Sequence, residues 1–147
     1  MSQIISITAI ASISSLGNSS ETIWKNYLSE NPCFSTQFLD YQNTAVAALD
    51  DNSKTEVEAL RQSDIKYKSL DPSVLFAMMA SRKAIQKAGW SKGADFGINI
   101  GSSRGATDLF EKHFQEYLKT GKAQTLASPT TTLGNISSWV AHDLQTS

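Results

Sequence analysis

Hydrophobic positions divide the chain into segments of two periods. In IISITAIASI, Ile4 to Ile13, isoleucine alternates with Ser, Thr and Ala, which predicts a strand buried on at least one face. Gly17 and Asn18 in SSLGNSS break it with a turn. The period then lengthens. Ile23, Trp24, Tyr27 and Leu28 share one helical face, Ser19 or Ser20 can cap that helix, and Pro32 follows its end. Residues 33–69 are less regular. TAVAAL, Thr44 to Leu49, predicts a short strand. SKTEVEALRQ, Ser53 to Gln62, predicts a short helix with Ser53 and Glu56 at capping-box spacing, and the rest reads as loop.

The clearest helix is DPSVLFAMMASRKAIQKAG. Asp71 is a natural N-cap, Pro72 suits the first helical position and Gly89 a C-terminal stop, with Lys87 near the negative end of the dipole. Ala77, Ala80, Ser81, Ala84 and Ala88 make a small-residue stripe, while Val74, Met78 and Ile85 lie on another face. Such a helix is expected to be central and covered on more than one side. Phe96, Ile98 and Ile100 alternate with Gly97 and Asn99 as a second strand. The turn GSSRGATD, Gly101 to Asp108, leads into a helix carrying Phe110, Phe114, Tyr117 and Leu118 on one side, ended by TGK at Thr120 to Lys122. A last helix is predicted from about Thr132 to Leu144, with Leu133, Ile136, Trp139, Val140 and Leu144 at helical intervals. Strand, helix, helix, strand, helix, helix points to α/β layering. Two clear strands are few for such a sheet, so the chain reads as a portion of a larger domain.

Length and composition narrow this picture. The 147 residues suit one domain, and 13 Lys and Arg against 14 Asp and Glu give a formal charge of -1. That balance gives no bulk reason to expect nucleic acid or an anionic membrane as partner. The one cysteine, Cys33, has no internal disulfide partner, which favours a reducing compartment. No basic residue precedes the apolar N-terminal run, and Ser and Thr interrupt it, so a signal peptide and a membrane span are not expected. The expected location is cytoplasmic.

The sequence offers three kinds of candidate site. The GSSRGATD turn joins a predicted strand to a predicted helix, as phosphate loops do. A Walker loop requires Lys and Ser or Thr straight after its second glycine, whereas Ala106 and Thr107 follow Gly105. A dinucleotide loop requires three glycines, and only Gly101 and Gly105 are present. Arg104 could neutralise an anion, but close backbone approach is the stronger reading of the two glycines. As nucleophiles, Cys33 has no local cation or helix N-terminus to lower its pKa, and Thr130, Thr131 and Thr132 read as cap and turn. His113 sits among Lys112, Glu111 and Glu116 on what reads as a solvated face. His142 and Asp143 are adjacent in a helix and so do not face each other. Two histidines and one cysteine make a poor metal set. Residue chemistry alone assembles no catalytic set.

Four segments, in order, resemble β-ketoacyl-acyl-carrier-protein synthases. ITAIASISSLGNSSETIWKNYLSENP is similar to the family's opening strand, S-P-L-G turn and capped helix with a Trp. LDPSVLFAMMASRKAIQKAGW is similar to its D-(x)n-A-x-x-A-x-x-A-L-x-x-A-G helix. FGINIGSSRGATDLFEKHFQEYLKTG resembles the V-x-I-G-S-G-x-G-G segment, and SPTTTLGNISSWVAHDL the S-P-x-x-x-x-x-x-N-x-x-(A/S) helix. The resemblance implies an α/β fold, the N-terminal part of a thiolase-like α-β-α-β-α sandwich spanning 1–147. It implies decarboxylative Claisen condensation of acyl and malonyl thioesters, with acyl carrier protein as partner and a homodimer or heterodimer as the working assembly. It implies no cofactor and no metal.

The family's nucleophilic Cys lies in a T-A-C-x-(S/T)-G motif after the N-x-x-(A/S) helix, and its two oxyanion histidines come later. The chain is therefore expected to stop before the nucleophile strand and to be inactive alone. Cys33, His113 and His142 inherit none of those roles. The resemblance implies instead that Arg104, Thr132 and Asn135 lie at the acyl pocket and dimer interface. Arg104 departs from the usual apolar gate, and Ala9 and Ala11 replace the first strand's glycines. A non-catalytic partner subunit of the chain-length-factor kind is the alternative, and a small α/β binding module is a third.

Overall fold

The structure, a computed structural model, describes residues 5–39 and 41–146. It contains α1 (Ser20–Tyr27), β1 (Ser35–Leu39), β2 (Gln42–Val46), α2 (Asp51–Gln62), a 3-10 turn (Ile65–Tyr67), α3 (Pro72–Ala88), α4 (Thr107–Thr120), α5 (Ala127–Thr131) and α6 (Asn135–Leu144). The expected helices are present, with shifted boundaries at two of them.

α3 is the central element. The Asp71 side chain accepts from the Ser73 N–H, Pro72 stands in the first turn, and Gly89 closes the helix at φ 72°. Val74, Leu75 and Met78 are fully buried. They pack with Val57 and Leu60 of α2, with Tyr67 and Leu70, and with Ile136, Val140 and Leu144 of α6. Each such aliphatic side chain contributes ~1.5–3 kcal/mol by leaving water. The small-residue stripe Ala77, Ala80, Ser81, Ala84 and Ala88 is only half-buried.

Both long predicted strands need correction. Ile4 lies outside the described residues. From Ile5 to Ile13, and from Phe96 to Ile100, the backbone joins no ladder among the described residues; the nearest pairing is an isolated Ser14–Gly17 bridge. The alternation itself is present. Ala9, Ala11 and Ile13 are half-buried while Ile10 and Ser12 are exposed, and Phe96, Ile98 and Ile100 alternate with exposed Gly97 and Asn99. Ile13, Phe96, Ile98 and Ile100 pack against the core. Side-chain period is thus satisfied by packing on one face, while a ladder also requires neighbouring backbone. Ile5 and Ile7 remain 90% and 80% exposed, a bare apolar edge.

The ladder that does form is a hairpin. β1 pairs antiparallel with β2 from Ser35↔Val46 to Leu39↔Gln42. The expected strand Thr44 to Leu49 is therefore shifted to Gln42–Val46, and its partner falls in a stretch read as loop. The turn signal is obscured because Tyr41, not Asn or Gly, takes the left-handed conformation at φ 66°.

α2 begins before Ser53. Asp50 is its cap, accepting from the Ser53 N–H at 2.6 Å, while the fully buried Ser53 hydroxyl donates to the same carboxylate at 3.2 Å. In α1 the cap is Ser19. The last predicted helix divides in two. α5 ends at Thr131, and α6 starts at Asn135 rather than Thr132. Thr130 and Thr131 hydroxyls bond back to the carbonyls of Leu126 and Ala127, both at 2.6 Å, closing the short helix where Thr132 turns extended.

Candidate functional site

α4 lacks a cap of its own: its N-cap position is Ala106, with no side-chain hydrogen bond. Asp71 supplies one from elsewhere. Its Oδ1 accepts from the Ser73 N–H at 2.9 Å and from the Ser73 hydroxyl at 2.7 Å, and its Oδ2 accepts from the Leu109 N–H at 3.1 Å. A single buried carboxylate therefore serves the N-termini of both α3 and α4. Sequence reading found its first role through the D-P-S spacing; nothing in the sequence marks the second.

The turn before α4 is folded on itself and on its neighbours. Gly105 stands at φ 66° and donates its N–H to the Ser102 hydroxyl at 2.9 Å, and its carbonyl lies 3.5 Å from the Ser73 hydroxyl oxygen, whose one proton goes to Asp71. A Cβ built on Gly105 would meet Leu133 Cδ2 at 3.2 Å, with the Thr131 carbonyl at 3.7 Å. Around Gly101 there is open space. Close approach is thus the role of Gly105 and not of Gly101. The anion reading of this turn loses its basis, because the Asp71 carboxylate already occupies the positive end of α4.

This contact brings two of the three expected site segments together. Arg104 is exposed on the turn, directly before Gly105, and Thr132 is exposed between the two residues that Gly105 meets. Asn135 is buried and holds the same segment from behind, donating Nδ2–H to the Thr130 carbonyl at 2.7 Å. Beside them an apolar groove of ≈ 250 Å³ runs between α4 and α5, lined by Phe110, Phe114, Tyr117, Ala127 and Thr131. A larger cleft of ≈ 490 Å³ carries Arg61, Lys68, Lys112 and His113 with one carboxylate, Asp108. His113 is half-buried there, not fully solvated as the charge pattern around it suggests.

A second polar cluster escaped sequence reading. Asp143 is buried in α6, where Arg82 of α3 and the Tyr67 hydroxyl donate to it. Burial alone would push this carboxyl up; the Arg82 and Tyr67 hydrogen bonds outweigh it and hold it below the usual carboxylate range. Burial and the carboxylate raise the Tyr67 phenol. The available signal was an acid between Val140 and Leu144, the apolar positions of α6, which calls for a cationic partner. His142, exposed, turns the other way and lies 3.0 Å from Lys66 Nζ through its Nε2. Cys33 is half-buried in a loop. Among the described residues no group of three or more His, Cys, Asp or Glu is arranged to hold a metal, and no helix is long and apolar enough to cross a membrane.

Residues 2–145 match the family described as Beta-ketoacyl synthase, N-terminal domain. The chain belongs to that family, and its mixed α/β architecture is the N-terminal portion of the thiolase-like ketoacyl-synthase fold. No curated protein matches it.

Proposed function

We propose that this chain is the N-terminal part of a β-ketoacyl-acyl-carrier-protein synthase, forming scaffold and acyl-pocket wall while other polypeptide supplies the reacting groups. The observation that carries this reading is the family match over residues 2–145. In the proposed reaction an acyl group passes from carrier protein to a cysteine thiolate. Malonyl thioester then loses carbon dioxide, and the carbanion attacks the acyl thioester carbonyl, expelling the thiolate. Donors aimed at the developing oxyanion lower that barrier. Cys33, His113 and His142 take no part.

In this reading Arg104 and Thr132 face the acyl chain and Asn135 fixes the segment bearing Thr132. Their neighbourhood supports it: Gly105 packs on Thr131 and Leu133, next to the apolar groove of α4 and α5. A guanidinium cannot lie unpaired in an apolar tunnel without a large cost, so the pocket is shorter or more polar than an apolar gate would make it, or the exposed Arg104 turns towards a carboxylate. Lys68 at the ≈ 490 Å³ cleft, beside Arg61 and Lys112 that are paired with Glu58 and Asp108, offers a contact for an acidic carrier protein. The exposed apolar faces suit a dimer.

The test is condensation of acyl- and malonyl-carrier protein by the synthase containing this chain, with Arg104→Ile alongside. Longer products from the variant are expected; an unchanged product length sinks the pocket assignment. A parent without a cysteine in the strand after α6, and without acyl transfer, would instead identify a non-catalytic partner of the chain-length-factor kind.

A further inference from the structure

Helices α3 and α4 start beside one another although their N-termini are far apart in sequence. Asp71 joins them: Oδ1 belongs to α3 through Ser73, and Oδ2 belongs to α4 through the Leu109 N–H. The residue is only 3% exposed. A carboxylate so placed is tolerable because two helix N-termini supply donors and favourable dipoles. The segment between the strand-like Phe96–Ile100 run and α4 is held at the same point. The Ser73 hydroxyl, oriented by the proton it gives Asp71, lies against the Gly105 carbonyl at 3.5 Å, and Gly105 in turn abuts Leu133. The turn bearing Arg104 is therefore pinned between the α3 N-terminus and the Thr131–Leu133 segment.

We infer that Asp71 is a positioning residue for acyl-chain selection, a two-helix clamp that sets where the Arg104 turn stands relative to Thr132. This rests on the pocket reading proposed above. Asp71 does not touch the acyl chain. It acts through α4, whose first turn has no other side-chain cap, and through Ser73, whose hydroxyl meets the turn.

The two roles of the carboxylate are separable by Asp71→Ser. A serine hydroxyl is a good cap for α3 through the Ser73 N–H, but it has one oxygen and cannot also serve Leu109. Amide hydrogen exchange on the 147-residue chain should show Leu109 exchanging on the order of five- to tenfold faster, with the first turn of α3 unchanged. Asp50→Ser, at the cap of α2, is the matched control: it tests cap chemistry on a helix that does not meet the turn. In the full synthase, Asp71→Ser should change the product-length distribution and raise KM for the acyl donor more than it lowers kcat, while Asp50→Ser changes neither. Unaltered Leu109 exchange overturns the clamp. Faster exchange with the product lengths of the control overturns the positioning role. If the wild-type parent makes no ketoacyl product, the functional reading falls and takes the acyl-selection role with it, while Leu109 exchange still decides the clamp.

Discussion

Arg82 grips Asp143 with two nitrogens: Nε lies 2.7 Å from Oδ2 and Nη2 2.5 Å from Oδ1. The pair joins α3 to α6 across the core, and Tyr67 adds a third donor at 2.9 Å. The Asp143 side chain is 1% exposed, the Arg82 side chain 37%. Removing the arginine leaves a buried carboxylate with the Tyr67 phenol as its one side-chain hydrogen bond and the more remote Lys92 charge. Breaking a fully buried pair costs ~3–5 kcal/mol, and the partial exposure of Arg82 reduces this. Arg82→Met should cost ~2 kcal/mol and lower the melting temperature by about 4–8 °C. Replacing both partners, Arg82→Met with Asp143→Leu, should restore part of the loss, because no charge is then left unpaired. Thermal unfolding of the three variants checks this, and a double variant no better than Arg82→Met refutes it.

The same pair fixes a pH dependence. The Asp143 carboxyl is held below its ordinary range, since the Arg82 and Tyr67 bonds outweigh burial. Glu56 is held low as well, first by its hydrogen bond from Lys83. A carboxyl with a depressed folded pKa contributes stability that is full above its unfolded value, about 3.9 for Asp and 4.3 for Glu. That contribution fades as pH falls toward the folded value. Urea denaturation should therefore show wild-type stability flat near neutrality and falling below about pH 4. The gap between wild type and Arg82→Met should narrow on acidification, because protonation removes the charge that the variant leaves stranded. A gap that widens below pH 4 contradicts the assignment.

Gly105 and Gly101 separate strain from space. Gly105 stands at φ 66° with Leu133 Cδ2 3.2 Å from where a Cβ would be; Gly101 has open space around it. Gly105→Ala meets both a left-handed backbone and a packed neighbour, and should cost ~2 kcal/mol. Gly101→Ala should stay within ~0.5 kcal/mol, as exposed substitutions do. Equal melting temperatures for the two variants would falsify the close approach of the turn to Leu133.

How much was legible in the sequence follows from how local each determinant is. Asp71, Pro72 and Gly89 announce α3 because caps act over a few residues, and the periodic face of Phe110, Phe114 and Tyr117 announces α4. In the N-terminal run the alternation reports the period but not the buried face, since Ala9, Ala11 and Ile13 turn inward while Ile5, Ile7 and Ile10 are exposed, and it cannot report whether another backbone lies alongside, so ladder and alternation part company there. Tyr41 hides a hairpin because the left-handed turn position carries an unusual residue. The D-D-N-S run at Asp50 to Ser53 offers four cap-forming side chains, and packing of Ser53 selects among them. The Asp71–Leu109 and Arg82–Asp143 links join residues distant in sequence; the acid on the apolar side of α6 signals that Asp143 has a partner, but nothing local names Arg82, and nothing marks Leu109. The family resemblance singled out Arg104, Thr132 and Asn135; only the fold places the turn that bears Arg104 against the segment around Thr132.

The apolar faces left open make a claim about association. α4 has no buried residue, and Phe110, Phe114, Tyr117 and Leu118 are each about half exposed or more, with Leu126 and Leu133 nearby at 63% and 58%. Ile5, Ile7 and Ile10 add a second bare strip. Contiguous apolar surface of this kind is unusual on a monomer and favours a partner. The isolated chain should therefore self-associate as its concentration rises, visible as an increase in mass by light scattering. Phe110→Ser with Phe114→Ser should weaken that association by tenfold or more, since each ring withdraws roughly 2 kcal/mol of burial from the contact. Both rings are exposed in the single chain, so the helical circular dichroism of the variant should match wild type. A wild-type chain that stays monomeric at high concentration, or a variant that associates as strongly, would show that this face of α4 is not what brings copies together.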